Sequence, residues 1–305
     1  MEAAQTERAL RVAVGHIQLG SLLPFVAQTP FVRRQCVRQV KADDSLIKGS
    51  NWLRLYKYRS LEGPYGSPNI EDIILNNRMR WQSPLDFNDP FDCLPYTTFG
   101  TSKLERQRYI HDLVNRKMPD APRTARRTRE RELNRRTPSE VAEEQNEYFR
   151  ELMAESAVTC FSEEPLSILM WAHYADQHRG VCFEFQEQLA GEFVGLPVVY
   201  TNERPVSDTT RLRHIDTLKA LVLTKSSHWA YEKEHRMISY REKAGVRSFP
   251  PESLKSVILG ARISSKHEAE IRSLVAARHV PIAITRVELS ETKYELQIGH
   301  ADGPR

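Results

Sequence analysis

The chain has few cysteines and none of the paired-cysteine patterns that mark a disulfide framework or a zinc site. Its 305 residues contain four, namely Cys36, Cys93, Cys160 and Cys182, with no Cys-x-x-Cys pair and no regular spacing. Two of them lie inside apolar runs, where a free cysteine behaves as a small hydrophobic residue. The pattern therefore predicts reduced thiols, as in cytosolic proteins.

Long apolar runs are also missing. No window approaches the ~20 apolar residues that a helix needs to cross a bilayer. The apolar run from 17 to 26 is short, and Gln18 and Pro24 interrupt it. We therefore expect a cytoplasmic protein with neither a secretory leader nor a membrane partner. The net charge of the whole chain, +4, says little about other partners.

Several well-known catalytic motifs are absent as well. The sequence contains no GxxxxGK[ST] phosphate loop, no GxGxxG turn, no GxSxG nucleophile elbow and no HExxH segment. These absences argue against the common ATPase, dehydrogenase, hydrolase-fold and zincin classes. A metal-free reaction is the natural choice for the arginine, serine and paired glutamates described below.

The periodicity of the apolar residues predicts an α+β fold rich in antiparallel strands. Alternation from 53 to 59 indicates a strand with one buried face. Short links between predicted strands favour antiparallel pairing over a doubly wound sheet. Strands are predicted at 53–59, 79–82, 156–162, 180–185, 197–200, 234–240, 254–260, 282–290 and 294–298, and helices at 69–77, 167–175, 209–226 and 265–279.

Composition suggests an N-terminal extension at 1–50 and a single catalytic-type domain at 51–300, with a charged helical insertion at 101–155. Within the insertion, the window 116–136 holds nine Lys or Arg against three Asp or Glu, an excess of +6 that exceeds the net charge of the whole chain. Such a segment is either a solvated helical face or a surface that contacts nucleic-acid phosphates. The candidate contact residues are Arg123, Arg126, Arg127 and Arg129.

The strand that ends at Arg59 is the first place where residues suited to binding are concentrated. Lys57 and Arg59 share one face of a period-two strand, and Tyr58 lies between them. An arginine at the end of a strand is well placed to hold a phosphate or a carboxylate through two parallel hydrogen bonds. A surface arginine is the simpler interpretation.

A second concentration lies between 159 and 178. It begins with Ser162, and a predicted helix then brings together Trp171, His173 and Tyr174. Such a density of aromatic and hydrogen-bonding side chains is typical of a nucleotide pocket. Alternatively, Trp171 and Tyr174 are core residues three apart on one helical face.

Glu232 and Glu234 form a third candidate, because residues two apart point to the same face of a strand. Their repulsion is expected to raise the pKa of one carboxyl, which suits general-base catalysis. A charged strand edge is the alternative. The acidic loop at 86–92 is a weak metal candidate because it lacks the EF-hand pattern, and it is interpreted as a cleft lid or a set of Asx turns.

Four segments, in this order, resemble an uncharacterised bacterial family, the domain of unknown function 2971. They are LYKYR at 55–59, FNDPFD at 87–92, CFSE at 160–163 with LMWAHYADQHRG at 169–180, and WAYEKEHR at 229–236. The resemblance runs from about 52 to 298 and carries no mechanism of its own.

The order of a strand arginine, a strand serine and Glu-x-Glu is similar to that of the ADP-ribosyltransferase superfamily in its Arg–Ser–Glu form. This second resemblance implies a split-sheet fold of that type, with NAD as the substrate and no metal. It implies that Arg59 clamps NAD, that Ser162 supports the nicotinamide-ribose site, that Glu234 binds the ribose hydroxyl and that Glu232 addresses the acceptor. The residues expected to line the NAD site beside them are Tyr58, Trp171, His173 and Tyr174.

We therefore expect a mono-ADP-ribosyltransferase that modifies DNA or RNA, in a toxin or anti-phage role, with an antitoxin or another regulatory partner. A carboxylate held against the ribose stabilises the positive charge that develops when the nicotinamide bond breaks. Two alternatives stay open. One is a metal-dependent nuclease that uses His173, His178 and the acidic loop, and the other is a non-catalytic nucleotide or nucleic-acid sensor.

Overall fold

The computed structural model describes residues 52–63, 67–188, 195–210, 222–240 and 242–299. The predicted N-terminal extension lies outside these ranges. The chain divides into two compact units. Of the described residues, the first unit takes those within 93–152 and 204–222, and the second unit takes the rest.

Helices and strands alternate irregularly along the chain, as expected for an α+β fold. In chain order they are β1 (Trp52–Arg59), α1 (Ser67–Ile74), β2 (Arg78–Trp81), β3 (Tyr96–Thr98), α2 (Lys103–Lys117), α3 (Arg123–Asn134), α4 (Pro138–Ala154), β4 (Ala157–Ser162), α5 (Ile168–Tyr174), β5 (Val181–Gln188), β6 (Leu196–Pro197), β7 (Val199–Thr201), β8 (Val206–Asp208), β9 (Thr224–Ser226), a 3-10 helix (Ser227–Glu232), β10 (Glu234–Ser239), β11 (Gly245–Ser248), β12 (Leu254–Leu259), α6 (Ser265–Ala276), β13 (Ala283–Leu289) and β14 (Leu296–Ile298). Short 3-10 helices also occur at Pro84–Asp86 and Pro251–Ser253.

The second unit is built on an eight-stranded sheet in the order β14-β13-β12-β5-β1-β4-β10-β6. Its pairs are antiparallel except for β12 with β13. The predicted mixed fold with a mostly antiparallel sheet is therefore confirmed. Within this sheet, Ser162 of β4 lies opposite both Tyr56 of β1 and Glu234 of β10.

Alternation along the strands gives this sheet two different faces. Odd-numbered residues of β1 and β5, such as Leu55 and Phe183, enter a hydrophobic cluster with Ile70 of α1 and Ile271 of α6. Even-numbered residues of β1 and β5, such as Tyr58, enter another cluster with Met170 and Trp171 of α5. Helices therefore cover both faces, and α5 marks the face that carries the candidate site.

The first unit contains the charged stretch that the sequence predicts to be helical. The unit contains α2, α3 and most of α4. The apolar side chains of these helices meet in a small core that includes Ile110, Leu113, Leu133 and Val141. A short parallel pair, β3 with β8, belongs to the same unit. Serine caps the N-terminus of α2, where Ser102 accepts a hydrogen bond from the Glu105 amide.

The prediction of a helix at 209–226 is wrong at its C-terminal end, because the last three residues form strand β9. Thr224–Ser226 pairs in parallel with Val199–Thr201, and this pairing overrides the apolar spacing that indicated a helix. Residues 211–221 of the same prediction lie outside the described residues. None of the helices in the described ranges is long and apolar enough to cross a bilayer.

A tight turn after α5 fixes that helix against the end of β12. Asp176, Gln177 and His178 all have positive φ, between 46° and 70°. Such backbone costs about 1 kcal/mol or more per non-glycine residue, and surrounding contacts must hold it. The Gly260 amide donates to the Gly180 carbonyl at 2.9 Å, and the Arg262 amide donates to the His178 carbonyl at 2.9 Å.

Gly260 allows this close approach because it has no side chain. A Cβ atom at Gly260 would lie 2.2 Å from the His178 carbonyl oxygen, whereas a Cβ atom at Gly245 in β11 would meet nothing closer than 3.9 Å. We expect Gly260→Ala to lower the free energy of unfolding by about 3 kcal/mol, because the added methyl group forces the turn apart. Gly245→Ala is the matched control and should stay within about 1 kcal/mol of the wild type. Urea unfolding checks both, and equal stabilities would contradict the described packing.

Candidate functional site

A group of buried charges lies on the α5 face of the sheet. It consists of Asp92, Lys225, Glu232, Glu234 and Arg236, which we call the ion cluster. Three carboxylates face two cations here, and each of these side chains is at most 5% exposed. Charges so far from water persist only when they are paired and hydrogen-bonded.

Lys225 is the centre of the cluster. Its ammonium nitrogen lies 2.5 Å from Glu232 Oε2, 3.1 Å from Glu234 Oε2 and 3.8 Å from Asp92 Oδ2. The ring of Trp229 lies beside the same ammonium, 5.0 Å from its centroid. Lys225 is placed by the pairing of β9 with β7, in which it lies opposite Tyr200.

Arg236 is the second cation, and it is completely buried on β10. Its guanidinium makes two hydrogen bonds to Asp92, at 2.6 and 2.8 Å, and two to Glu234, at 2.8 and 3.0 Å. The ring of Phe87 lies 5.0 Å from the guanidinium carbon. These contacts anchor both ends of the 86–92 loop to the sheet.

The acidic loop is thus part of the ion cluster through Asp92. Asp89 accepts a hydrogen bond from the Phe91 amide at 2.9 Å, which is the Asx turn that the sequence indicates. Among the described residues, no group of three or more His, Cys, Asp or Glu side chains is arranged to hold a metal ion.

The placement of Glu232 corrects the interpretation that Glu232 and Glu234 share one strand. Glu232 ends the 3-10 helix, Lys233 takes a left-handed conformation with φ 43°, and only Glu234 begins β10. Ser226 starts the 3-10 helix by accepting a hydrogen bond from the His228 amide. The two carboxylates still converge, but they do so around Lys225 rather than by strand alternation.

The two glutamates differ in their electrostatic setting. Burial by itself raises the pKa of Glu234, but attraction to Arg236 and Lys225 is stronger and lowers that pKa to about 2. For Glu232, burial raises the pKa above its ordinary value despite the attraction of Lys225, and repulsion by Glu234 adds to the rise. Glu234 is therefore a fixed negative charge, while Glu232 is the carboxyl suited to exchange a proton.

Aromatic side chains lie on the outer side of Glu232. The Tyr174 hydroxyl donates to Glu232 Oε1 at 2.6 Å and accepts a long hydrogen bond from Asn88 at 3.4 Å. Beyond it, the Tyr231 ring lies 6.3 Å from that of His173 and 6.1 Å from that of Trp229. His173 is exposed, and Tyr231 and Trp229 are half-buried. We call Trp229, Tyr231 and His173 the aromatic row.

Of the predicted aromatic residues, Trp171 and Tyr58 belong to the core rather than to this surface. Trp171 is fully buried, and its indole nitrogen donates to the Pro165 carbonyl. Tyr58 is 5% exposed and packs edge-on against Trp171, with 5.2 Å between ring centroids. Ser162 is also buried, and its hydroxyl donates to the Glu232 carbonyl at 2.5 Å, so it fixes the backbone of the site.

Arg59 does not join the residues with which the sequence groups it. Because Tyr56 lies opposite Ser162, and Ser162 lies opposite Glu234, these three side chains share a face. Arg59 is three positions beyond Tyr56, so its side chain starts from the other face. Lys57 belongs to that same other face, where its ammonium donates to Thr159 at 2.6 Å.

The four predicted nucleic-acid contacts on α3 divide into two pairs. Arg123 and Arg127 are exposed. Arg126 and Arg129 are half-buried and donate to Asn115 and to Glu132, each at 3.1 Å.

Sequence reasoning missed Lys225, and it included Asp92, Arg236, Tyr231 and Trp229 only as members of the 86–92 loop and the 229–236 segment, without a role for each. Arg236 carried one usable signal, because it stands in a predicted strand immediately before the apolar pair at 237–238. A charged residue in such a strand requires a buried partner of opposite charge. Asp92 is 144 positions away in the sequence, so only the fold could identify it as that partner.

Removing the central cation should be far more damaging than removing a surface cation. We expect Lys225→Met to lower the free energy of unfolding by about 3 to 5 kcal/mol, since it leaves buried carboxylates without their shared partner. Lys233→Met is the control, because Lys233 is 55% exposed and its pair with Glu164 should contribute less than about 1 kcal/mol. Chemical denaturation of both variants provides the measurement, and equal losses would refute a central role for Lys225.

The opposite pKa shifts of the two glutamates predict opposite pH dependences. Glu234 stabilises the fold above its ordinary pKa of 4.5, and this stabilisation is lost as the pH falls towards about 2. Glu232, with its raised pKa, stabilises the fold at low pH, and that contribution is lost as the pH rises through its folded pKa. The fall in the free energy of unfolding at low pH is the acid limb of the stability curve. We expect Glu234→Gln to reduce this fall by on the order of 3 kcal/mol. Glu232→Gln should leave that limb intact, and unfolding curves across pH with identical acid limbs for both variants would contradict this assignment.

Residues 170–237 match the model of a family described as a protein of unknown function, DUF2971. The chain matches no curated protein and no solved structure. The matched stretch includes every member of the ion cluster except Asp92, together with the aromatic row. It supports the resemblance to this uncharacterised family that the sequence motifs indicate. No match supports the resemblance to ADP-ribosyltransferases, which stays a hypothesis.

Proposed function

We propose that the α5 face of the second unit is a nucleotide site, and that the chain is an NAD-dependent ADP-ribosyltransferase with a nucleic acid as acceptor. The observation that carries this proposal is the position of Glu232. Its carboxyl has a raised pKa and lies between the Lys225 ammonium and the Tyr174 hydroxyl, next to the aromatic row. A titratable carboxyl beside rings that can stack on a base is a candidate catalytic site.

The chemistry requires a negative charge near the ribose and a proton acceptor. When the bond between the ribose carbon and nicotinamide breaks, its electron pair leaves with nicotinamide, and the ribose becomes oxocarbenium-like. A fixed carboxylate stabilises that charge. An acceptor nitrogen or oxygen then bonds to the same carbon and loses its proton to a base. No oxidant or reductant is needed.

The two glutamates fit these roles unequally. Glu232 is the base in this proposal, because burial raises the pKa of its carboxyl from the ordinary value in the direction of neutral pH. Oε1 of Glu232 accepts one hydrogen bond, from Tyr174, and has a second lone pair for a ribose or acceptor hydroxyl. Glu234 supplies the fixed negative field, since its oxygens are engaged by Arg236 and Lys225. Direct contact between Glu234 and the ribose hydroxyl stays a prediction.

The aromatic row offers a surface for the planar rings of the substrate. Base–aromatic stacking contributes about 1 to 3 kcal/mol per base and does not depend on base identity. His173 and Tyr231 come from different elements, α5 and the 3-10 helix, and they meet next to Glu232. A ring that stacks there would bring its ribose towards the carboxyl.

A second candidate is a nucleotide sensor without turnover. It is favoured by the register that puts Arg59 on the face opposite Ser162 and Glu234, since the Arg–Ser–Glu resemblance requires all three in one cleft. A sensor needs the aromatic row and a rigid charge cluster, but it needs no proton transfer. The two candidates therefore differ in what Glu232 must do.

Nicotinamide release from labelled NAD, measured with DNA, RNA and protein acceptors, tests the proposal. We expect Glu232→Gln to reduce release by about 100-fold or more, because the variant has no base at this position. The control is Lys233→Gln, which changes the adjacent exposed residue and should keep the wild-type rate. Glu234 is a poorer test position, because its removal takes a carboxylate from the buried Arg236.

The outcomes separate the candidates. Release by the wild type that is lost in Glu232→Gln supports the transferase. Wild-type turnover in a folded Glu232→Gln variant refutes it. NAD binding to the wild type with no product from any acceptor favours the sensor.

A further inference from the structure

One arc on the exposed side of α3, continued by its C-cap residue Arg135, carries four arginines, and the exposed Glu132 lies outside that arc. Arg123, Arg127, Arg131 and Arg135 are all exposed, and each is four positions from the next. At about 100° per residue, steps of four advance by only ~40°, so the four side chains fall within an arc of ~120°. They extend over ~18 Å of helix, with Thr124 and Thr128 on the same side. We call these four residues the arginine stripe.

The acidic residues of α3 pair with residues outside the arginine stripe. Glu130 lies 2.9 Å from the His111 ring, and Glu132 pairs with Arg129 at 3.1 Å. Arg126 donates to Asn115. Within the described ranges, no hydrogen bond or ion pair involves a guanidinium of the arginine stripe. The stripe is therefore the part of the helix whose positive charge is not neutralised within its unit.

This arrangement of arginines lowers the stability of α3. Like charges four residues apart repel, and the stripe contains three such pairs. Arg123 stands in the first turn, where the helix dipole favours negative charge. The first turn contains no acidic residue, and the N-cap Pro122 makes no side-chain capping hydrogen bond. A surface helix selected for stability alone would place glutamates among these arginines.

We infer that the arginine stripe binds the phosphate backbone of a nucleic acid. Phosphates supply the negative charge that the stripe lacks, and arginine holds phosphate oxygens through paired hydrogen bonds. Exposed threonines on the same side add hydrogen-bond donors for the backbone. The inference rests on the part of the proposed function that names a nucleic acid as partner, and not on NAD chemistry. Compared with the four nucleic-acid contacts predicted from the sequence, the arginine stripe contains Arg131 and Arg135 in place of Arg126 and Arg129.

Two double variants of the full chain test the stripe. Arg127→Gln with Arg131→Gln removes two stripe residues, whereas Arg126→Gln with Arg129→Gln removes two arginines from the same helix that bond within the unit. Both doubles change the net charge equally, and glutamine keeps the helix propensity high. Fluorescence anisotropy with labelled duplex DNA and single-stranded RNA, over a range of salt concentrations, measures the affinity and its salt dependence.

The stripe double should weaken binding roughly 10- to 100-fold and reduce the slope of log affinity against log salt by about 0.9 for each lost phosphate contact. The other double should keep the wild-type affinity and slope. Arg127→Lys with Arg131→Lys should restore binding, since lysine also pairs with phosphate. Because the stripe double removes like-charge repulsion, its thermal midpoint should not fall, which excludes unfolding as the cause.

Three results would overturn the inference. They are equal weakening by the two glutamine doubles, no binding of either nucleic acid by the wild type, and stripe-dependent binding to anionic lipid vesicles in place of nucleic acid. These readouts require no turnover of NAD. The stripe is therefore judged independently of the transferase, and NAD turnover is judged independently of the stripe.

Discussion

The buried ammonium of Lys225 is the contact on which the candidate site depends. It lies within 4 Å of three carboxylates from two distant parts of the chain, namely Asp92 and the pair Glu232 and Glu234. Without a cation at this point, Asp92 and Glu234 would depend on the Arg236 guanidinium, and Glu232 on the hydrogen bond that Tyr174 donates. Buried ion pairs often stabilise a fold less than apolar packing would. The ion cluster is therefore weak evidence for stability, and it fits the proposal that these contacts position the carboxylates.

The consequence of this cluster is that two neighbouring glutamates acquire different properties. Glu234 begins β10 and is fixed between Arg236 and Lys225, so it stays ionised. Glu232 ends a 3-10 helix, with Tyr174 on one oxygen and Lys225 on the other. The left-handed Lys233 between them directs the two side chains differently. A pair that looks symmetrical in the sequence thus becomes one fixed charge and one titratable group.

Sequence patterns predict those elements whose structure is decided by a single local rule. Period-two alternation predicted β1, because burial of one face determines the residue types along that strand. Sequence patterns failed at Thr224–Ser226, where pairing with β7 decides. They also failed for Glu232, because the cap at Ser226 and the turn at Lys233 break the strand that alternation suggested. Elements set by distant contacts could not be predicted from neighbours in the chain.

The candidate site was predictable only in part for the same reason. The Glu-x-Glu segment and the helix with His173 and Tyr174 were recognised, and the fold brings them together. Trp171 is as well suited to stacking on a base as Tyr174, but its position on α5 directs its side chain into the core. Arg59 shows the limit most clearly, because one residue of register decides which face of β1 a side chain occupies. Residue types could be read from the sequence, but convergence on Lys225 could not.

A crystal structure of the Glu232→Gln variant with NAD tests the central claim most directly. The claim is that the ion cluster presents residue 232 to a nucleotide that stacks on the aromatic row. It predicts a nicotinamide or adenine ring against Tyr231 and His173, and a ribose hydroxyl within hydrogen-bond distance of residue 232. NAD bound elsewhere, or absent from this face while Lys225 keeps its contacts with Glu234 and Asp92, would contradict the account.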